Sequence, residues 1–81
     1  MNTKRLPEET ISQWANSVIL SRQVAAQIAR ELRTAPQWFP VESDRCLSGR
    51  LDVSSTTVSE AKRLLAAHDV IARHGRTYYV S

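Results

Sequence analysis

The 81 residues hold one small domain and leave no room for a second. With 42% apolar and 23% charged residues, the chain has the composition of a folded globular protein rather than a disordered one. Eleven Lys/Arg against eight Asp/Glu give a formal charge of +3, spread over both halves: five against four in residues 1–42, six against four in residues 43–81. That balance suits a polyanionic partner without requiring one. A single cysteine, Cys46, excludes an intramolecular disulfide framework and a cysteine-rich zinc site. The apolar runs are far too short for a membrane span or a signal-peptide core, so a soluble, cytoplasmic protein is expected.

In chain order, residues 1–6 form a polar, loose lead-in. Pro7 followed by Glu8 and Glu9 opens a helix well, because proline's missing N–H is no loss in the first turn and the acids favour the helix dipole. Ile11, Trp14 and Val18 recur at i, i+3 and i+7 and predict a short amphipathic helix over residues 7–18, with Trp14 and Val18 either capping a small core or meeting a second copy. Val24, Ile28 and Leu32 predict a second helix over residues 21–34, with Arg22, Arg30 and Arg33 on its wet side; Asn16-Ser17 either separates the two helices or bends one. Pro36 ends this helix, and Trp38, next to Phe39, is expected in the core at the junction before the extended Phe39-Pro40, with a partner-facing aromatic as the alternative.

Ser43 then reads as an N-cap, with Asp44 in the first turn, Leu47 and Leu51 on the buried side, and Cys46 half-buried. Gly49 weakens this third helix by about 1 kcal/mol relative to alanine. Asp52-Val53 makes a turn, and Ser54 caps a fourth helix over residues 55–68. Val58, Ala61 and Leu65, flanked by Thr57 and Leu64, form its apolar stripe, leaving Ser55, Thr56, Ser59 and Arg63 on the opposite face. Residues 70–73 and 76–80 are two β-prone runs joined by His74-Gly75, a hairpin connection with Arg73, His74 and Arg76 at its tip. The fold class is therefore mainly α with a small β-hairpin, a winged helix-turn-helix with an extra N-terminal helix. Residues 1–20 are the N-terminal extension and residues 21–81 the winged helix-turn-helix domain.

The ordered series Phe39-Pro40, Ser43-Asp44-Arg45-Cys46-Leu47, Leu51, Val53-Ser54, Thr57-Val58, Glu60-Ala61, Leu65, His74-Gly75-Arg76 and Tyr79-Val80 resembles the winged-helix domain of the GntR family of bacterial transcription regulators. Gln23-Val24-Ala25 is similar to the start of that family's first helix, so the resemblance covers residues 20–80. Three departures stand out. Val41-Glu42 is a two-residue insertion, Asp52 replaces the usual turn glycine, and Ser55 and Ser59 stand where the family places two arginines on the recognition helix. Family members continue into a C-terminal ligand-sensing and dimerising domain. These 81 residues hold the DNA-binding part alone, either as a stand-alone protein or as a piece of a longer one.

The resemblance implies sequence-specific binding of double-stranded DNA at a palindromic or repeated operator by a nucleoid-associated regulator, with two copies as a possible homodimer. Helix 55–68 would enter the major groove with Ser55, Thr56 and Ser59 nearest the bases. Arg45, Ser54 and Lys62 would hold phosphates, Arg63 would add charge, and Arg73, His74, Gly75 and Arg76 would contact backbone or minor groove as the wing. With both arginines replaced by serine, affinity should be lower than for a typical member, which leaves a protein-binding use of the same scaffold as the alternative. No catalytic set emerges. His68 and His74 lack a third ligand at metal-binding spacing, Cys46 lacks a partner, and there is no glycine-rich phosphate loop, so neither enzyme activity nor a cofactor is expected.

Overall fold

The computed structural model describes residues 6–81. They form four helices, α1 (Glu8–Ala15), α2 (Leu20–Glu31), α3 (Asp44–Leu51) and α4 (Ser55–Ala67), followed by the antiparallel hairpin β1 (Ile71–His74) and β2 (Thr77–Val80). The protein is thus mainly helical with one small hairpin. The lead-in expected at residues 1–6 lies outside the described residues apart from Leu6, which is buried.

Helix α1 stops three residues earlier than its apolar spacing predicts. Asn16 closes it, its Nδ2 donating to the Ser12 carbonyl at 3.1 Å, and the Ser17 hydroxyl accepts from Ile19 N–H at 3.0 Å. The Asn16-Ser17 pair therefore separates α1 from α2. Val18 leaves the helical register and is 96% exposed, whereas Ile11 is buried and Trp14 half-buried with its ring edge-on to His68 at 5.0 Å. Helix α2 buries Val24, Ala25, Ala26, Ile28 and Ala29, so its buried face is wider than the expected stripe; Arg30 and Arg33 reach back to Glu8 at 3.4 and 2.9 Å.

Both later helices begin on the serines that the sequence marks. Ser43 Oγ accepts from Cys46 N–H and Ser54 Oγ from Thr57 N–H, each at 3.1 Å, satisfying donors that would otherwise lack a partner in the first turn. Both also end on an aspartate in the left-handed region, Asp52 (φ 57°) and Asp69 (φ 61°), a conformation in which aspartate is among the least strained non-glycine residues. After α4, Asp69 N–H bonds the Ala66 carbonyl and Val70 N–H the Leu65 carbonyl, both at 3.0 Å, the paired closure that usually ends on glycine.

Helix α4 lies at the centre, packed against α2, α3 and β1. Ile11, Ile28, Leu47, Val58, Leu65 and Ile71, one or two from every element except β2, are the largest fully buried side chains. In the hairpin Ile71 pairs with Val80 and His74 with Thr77, so the two connecting residues are Gly75-Arg76 rather than His74-Gly75. Gly75 carries the positive φ (66°) at the first loop position, the place where a type II′ turn wants glycine. Residues 38–41 lie along β2 as a third, antiparallel edge: Trp38 N–H bonds the Val80 carbonyl (2.8 Å), Val80 N–H the Phe39 carbonyl (2.9 Å) and Val41 N–H the Tyr78 carbonyl (2.9 Å). Pro40 faces Tyr79 there without an N–H to lose, an edge position that proline tolerates.

Candidate nucleic-acid interface

The strand period separates the basic residues of the hairpin. Ile71 and Val80 turn into the core, so Arg73 and Tyr78, two residues along, face the α4 side; Ala72, His74, Thr77 and Tyr79 face away. Arg73 thereby joins Arg63 of α4 and Arg76 of the turn around a groove of about 340 Å³, whose walls include Ser43, Ser59 and Tyr78. None of these three arginines forms an ion pair among the described residues. Arg63 makes a long contact to Ser59 Oγ (3.4 Å), and Arg73 donates from Nε to the Gly75 carbonyl at 3.1 Å. Each therefore keeps guanidinium N–H donors for an anion.

Lys62, expected on a phosphate, is instead part of the fold. It is only 4% exposed; its ammonium donates to the Glu42 carbonyl at 2.6 Å, pairs with Asp44 Oδ1 at 2.7 Å and lies 5.7 Å from the centroid of the Tyr78 ring. The helical period gives only part of the reason: at 3.6 residues per turn Lys62 falls about 40° beyond Val58, at the border of the apolar stripe and not within it. A buried ammonium needs partners, and Asp44 and the chain before α3 supply them. Since Lys62 and Asp44 cancel, the charge of the groove is that of Arg63, Arg73 and Arg76.

The other site residues divide as follows. Ser55 and Thr56 are exposed on the first turn of α4, and Arg45 is exposed in the first turn of α3. Ser54 is occupied as the helix cap and lies 2.9 Å from Thr57 Oγ1; Ser59 is half-buried beneath Arg63. Gly75 shapes the turn. His74 does not join the groove: its ring lies 4.9 Å from Trp38 and 6.0 Å from Tyr79 on the opposite face of the hairpin.

Two further expectations are corrected. Trp38 and Phe39 are not core residues; the edge alignment with β2 turns them outward, and Trp38 is 58% exposed with a left-handed φ of 70°. Cys46 is exposed rather than half-buried, its thiol donating to Glu42 Oε2 at 3.0 Å. That contact, more than any burial, raises the thiol pKa above its ordinary value, and it also lowers that of the Glu42 carboxyl. Sequence reasoning missed the group next to it: Arg50 bonds both Glu31 oxygens (2.9 and 2.6 Å) and Glu42 Oε1 (2.6 Å), tying α3 to α2. No short spacing announces a contact between residues 19 apart. The Arg50 hydrogen bonds hold the Glu31 carboxyl below its usual range.

The described residues contain no cluster of three or more metal-ligating side chains and no helix long and apolar enough to cross a membrane. No protein-family model, curated protein or solved structure matches the chain.

Proposed function

We propose that this chain is a winged helix-turn-helix domain of GntR-like type that binds double-stranded DNA to regulate bacterial transcription. One observation carries the reading: Arg63, Arg73 and Arg76, from a helix and a hairpin, converge on one groove beside the exposed first turn of α4, with no ion pair among the described residues; the groove's carboxylate, Asp44, is held by Lys62. The order of elements agrees with it, α3 and α4 standing as the helix-turn-helix pair, β1 and β2 as the wing, and residues 38–41 as the strand that precedes the pair. In this docking Ser55 and Thr56 face base edges in the major groove, while Arg45, Arg63, Arg73 and Arg76 take phosphates. Such a role belongs in the cytoplasm, at the nucleoid.

Four phosphate contacts give a slope of log K against log salt of about −3.6 for duplex DNA. A titration on mixed-sequence duplex between low and physiological salt measures it. No binding at low salt with micromolar protein would refute the proposal. The alternative, a protein-binding use of the scaffold, is favoured by the outward Trp38 and Phe39, which a purely DNA-binding face does not need. It predicts binding to duplex that is absent or has no salt slope.

A further inference from the structure

The face of the hairpin turned away from α4 carries a cluster of three rings. Trp38 lies 4.9 Å from His74 and 6.2 Å from Tyr79, and His74 lies 6.0 Å from Tyr79, all three pairs tilted. Trp38 nevertheless stays more than half exposed, and its backbone sits in the left-handed region (φ 70°), a strained place for a bulky side chain. The bonds that hold it there, Trp38 N–H to the Val80 carbonyl and Val80 N–H to the Phe39 carbonyl, are backbone bonds that need no indole. The rings wall a recess of about 180 Å³, joined by Gln37 and Ser81. That is below the roughly 300–1,000 Å³ of sites that enclose a drug-sized ligand, and it suits a single ring system. No Asp, Glu, Lys or Arg lines it, and the Gln37 amide, without a hydrogen bond among the described residues, can meet the polar edge of a ring.

We infer that this recess stacks an unpaired nucleobase of a single-stranded nucleic acid. Aromatic side chains accept any base, because every base has a π-face. The charge beside the recess selects a nucleic acid over an apolar protein segment. Arg76, in the turn two residues beyond His74, and Arg73, across the same hairpin, have no ion pair among the described residues. A strand crossing the turn offers a phosphate to Arg76 and its attached base to Trp38. An apolar protein segment would cover the rings and leave the arginine donors unused. Paired bases stay stacked inside a duplex and present only their edges, so a duplex cannot fill the recess. Binding here requires an unpaired base and does not require the duplex docking proposed above.

Fluorescence anisotropy of the full chain with three labelled probes is the experiment: an oligothymidine of about ten nucleotides, an abasic strand of the same length, and a mixed-sequence duplex. Wild-type protein should bind the oligothymidine about tenfold more tightly than the abasic strand, the gain from one stacked base. Trp38→Ala should remove that gain and leave the salt slope and the affinity for the abasic strand and the duplex unchanged. Trp38→Phe, which keeps a ring, should retain part of it. Arg76→Ala should instead weaken both single strands and make their slopes shallower by about 0.7. Circular dichroism checks that each variant is folded, and the wild-type comparison needs no variant. Equal wild-type affinity for the two single strands, a preference that survives Trp38→Ala, or a Trp38→Ala loss shared by the abasic strand and the duplex would each overturn the assignment. No binding of oligothymidine at low salt would also overturn it and leave the rings to a protein partner. Preference for oligothymidine over the abasic strand with no duplex binding would support this site and refute the docking proposed above.

Discussion

Replacing Lys62 by methionine separates a role in folding from a role in DNA binding. Methionine keeps most of the stem that packs between α4 and Tyr78, so little cavity forms, but it removes the ammonium. The Glu42 carbonyl loses its 2.6 Å donor, and Asp44 loses its 2.7 Å partner. A hydrogen bond to a charged group contributes about 1.5–3 kcal/mol, but the Asp44 side chain is 41% exposed and can rehydrate, and the desolvation of Lys62 no longer has to be met. The net loss should be about 1–2 kcal/mol. For a domain of this size that lowers Tm by roughly 5–15 °C, read by thermal melting in far-UV circular dichroism. The salt slope of DNA binding, measured well below the melting range, should stay the same because the Lys62 ammonium, although it lines the groove, is held by Asp44 and the Glu42 carbonyl and takes no phosphate. The Asp44 carboxylate left unpaired in the groove should lower the overall affinity. Arg63→Ala should do the reverse, leaving Tm nearly unchanged and making the slope shallower by about 0.9. A Lys62→Met protein with wild-type Tm and a slope reduced by about 0.9 would refute this reasoning and return Lys62 to the phosphate.

The remaining predictions concern the frame around that site. Ser43→Ala and Ser54→Ala each remove a helix cap and should cost about 1 kcal/mol in denaturant unfolding; an unchanged midpoint would mean that the caps contribute nothing. Gly75→Ala meets no atom but must hold a positive φ, so it should cost about 1 kcal/mol and leave DNA affinity intact. Arg50→Ala should destabilise at neutral pH and progressively less in acid. The Glu31 carboxyl is lowered by its Arg50 hydrogen bonds, and that of Glu42 by the Cys46 thiol and then by Arg50. Carboxyls with lowered folded pKa values contribute stability above their ordinary value of 4.5 and lose it as pH falls through the folded value, so the difference between wild type and variant should close at low pH. A difference that stays constant from neutral pH to pH ~3 would assign Arg50 a purely steric role.

Local chemistry made most of the frame legible. Ser43 and Ser54 announce their helices because a hydroxyl before an apolar-periodic run has one obvious use, and both do bond the third N–H beyond them. Val58, Ala61 and Leu65 are fully buried because the stripe they form in sequence is the stripe they form in space. The apolar period of Ile11 and Trp14 does not carry on to Val18, because the side chains of Asn16 and Ser17 offer the backbone another set of bonds. The hairpin turn lies one residue later than the sequence pattern predicts because a glycine can occupy either loop position, and only the cross-strand pairing decides between them. Trp38 and Phe39 look like core by composition, but their orientation follows from pairing with β2, some 40 residues later, which no local pattern encodes.

The basic groove is also a tertiary feature, and it changes the meaning of the two serines on α4. Arg63 lies ten residues before Arg73, and strand alternation brings Arg73, not His74, to its side. Positive charge that the GntR-like pattern places at positions 55 and 59 is here concentrated one to two turns further along α4 and across on the hairpin. At positions 55 and 59, arginine could make two hydrogen bonds to guanine, a discrimination of about 1–3 kcal/mol per base pair. In the proposed docking the charge of the groove beside the hairpin would meet phosphates, which are alike at every sequence. Under the proposed function, the domain would hold the duplex mainly through its backbone and read it through two small hydroxyls. Its preference among sequences should therefore be shallow relative to its salt dependence. Ser55→Arg should steepen that preference more than it increases binding to mixed-sequence DNA, as selection from a random pool with each protein would reveal. Equal gains on all sequences would place residue 55 over the phosphates instead of the bases.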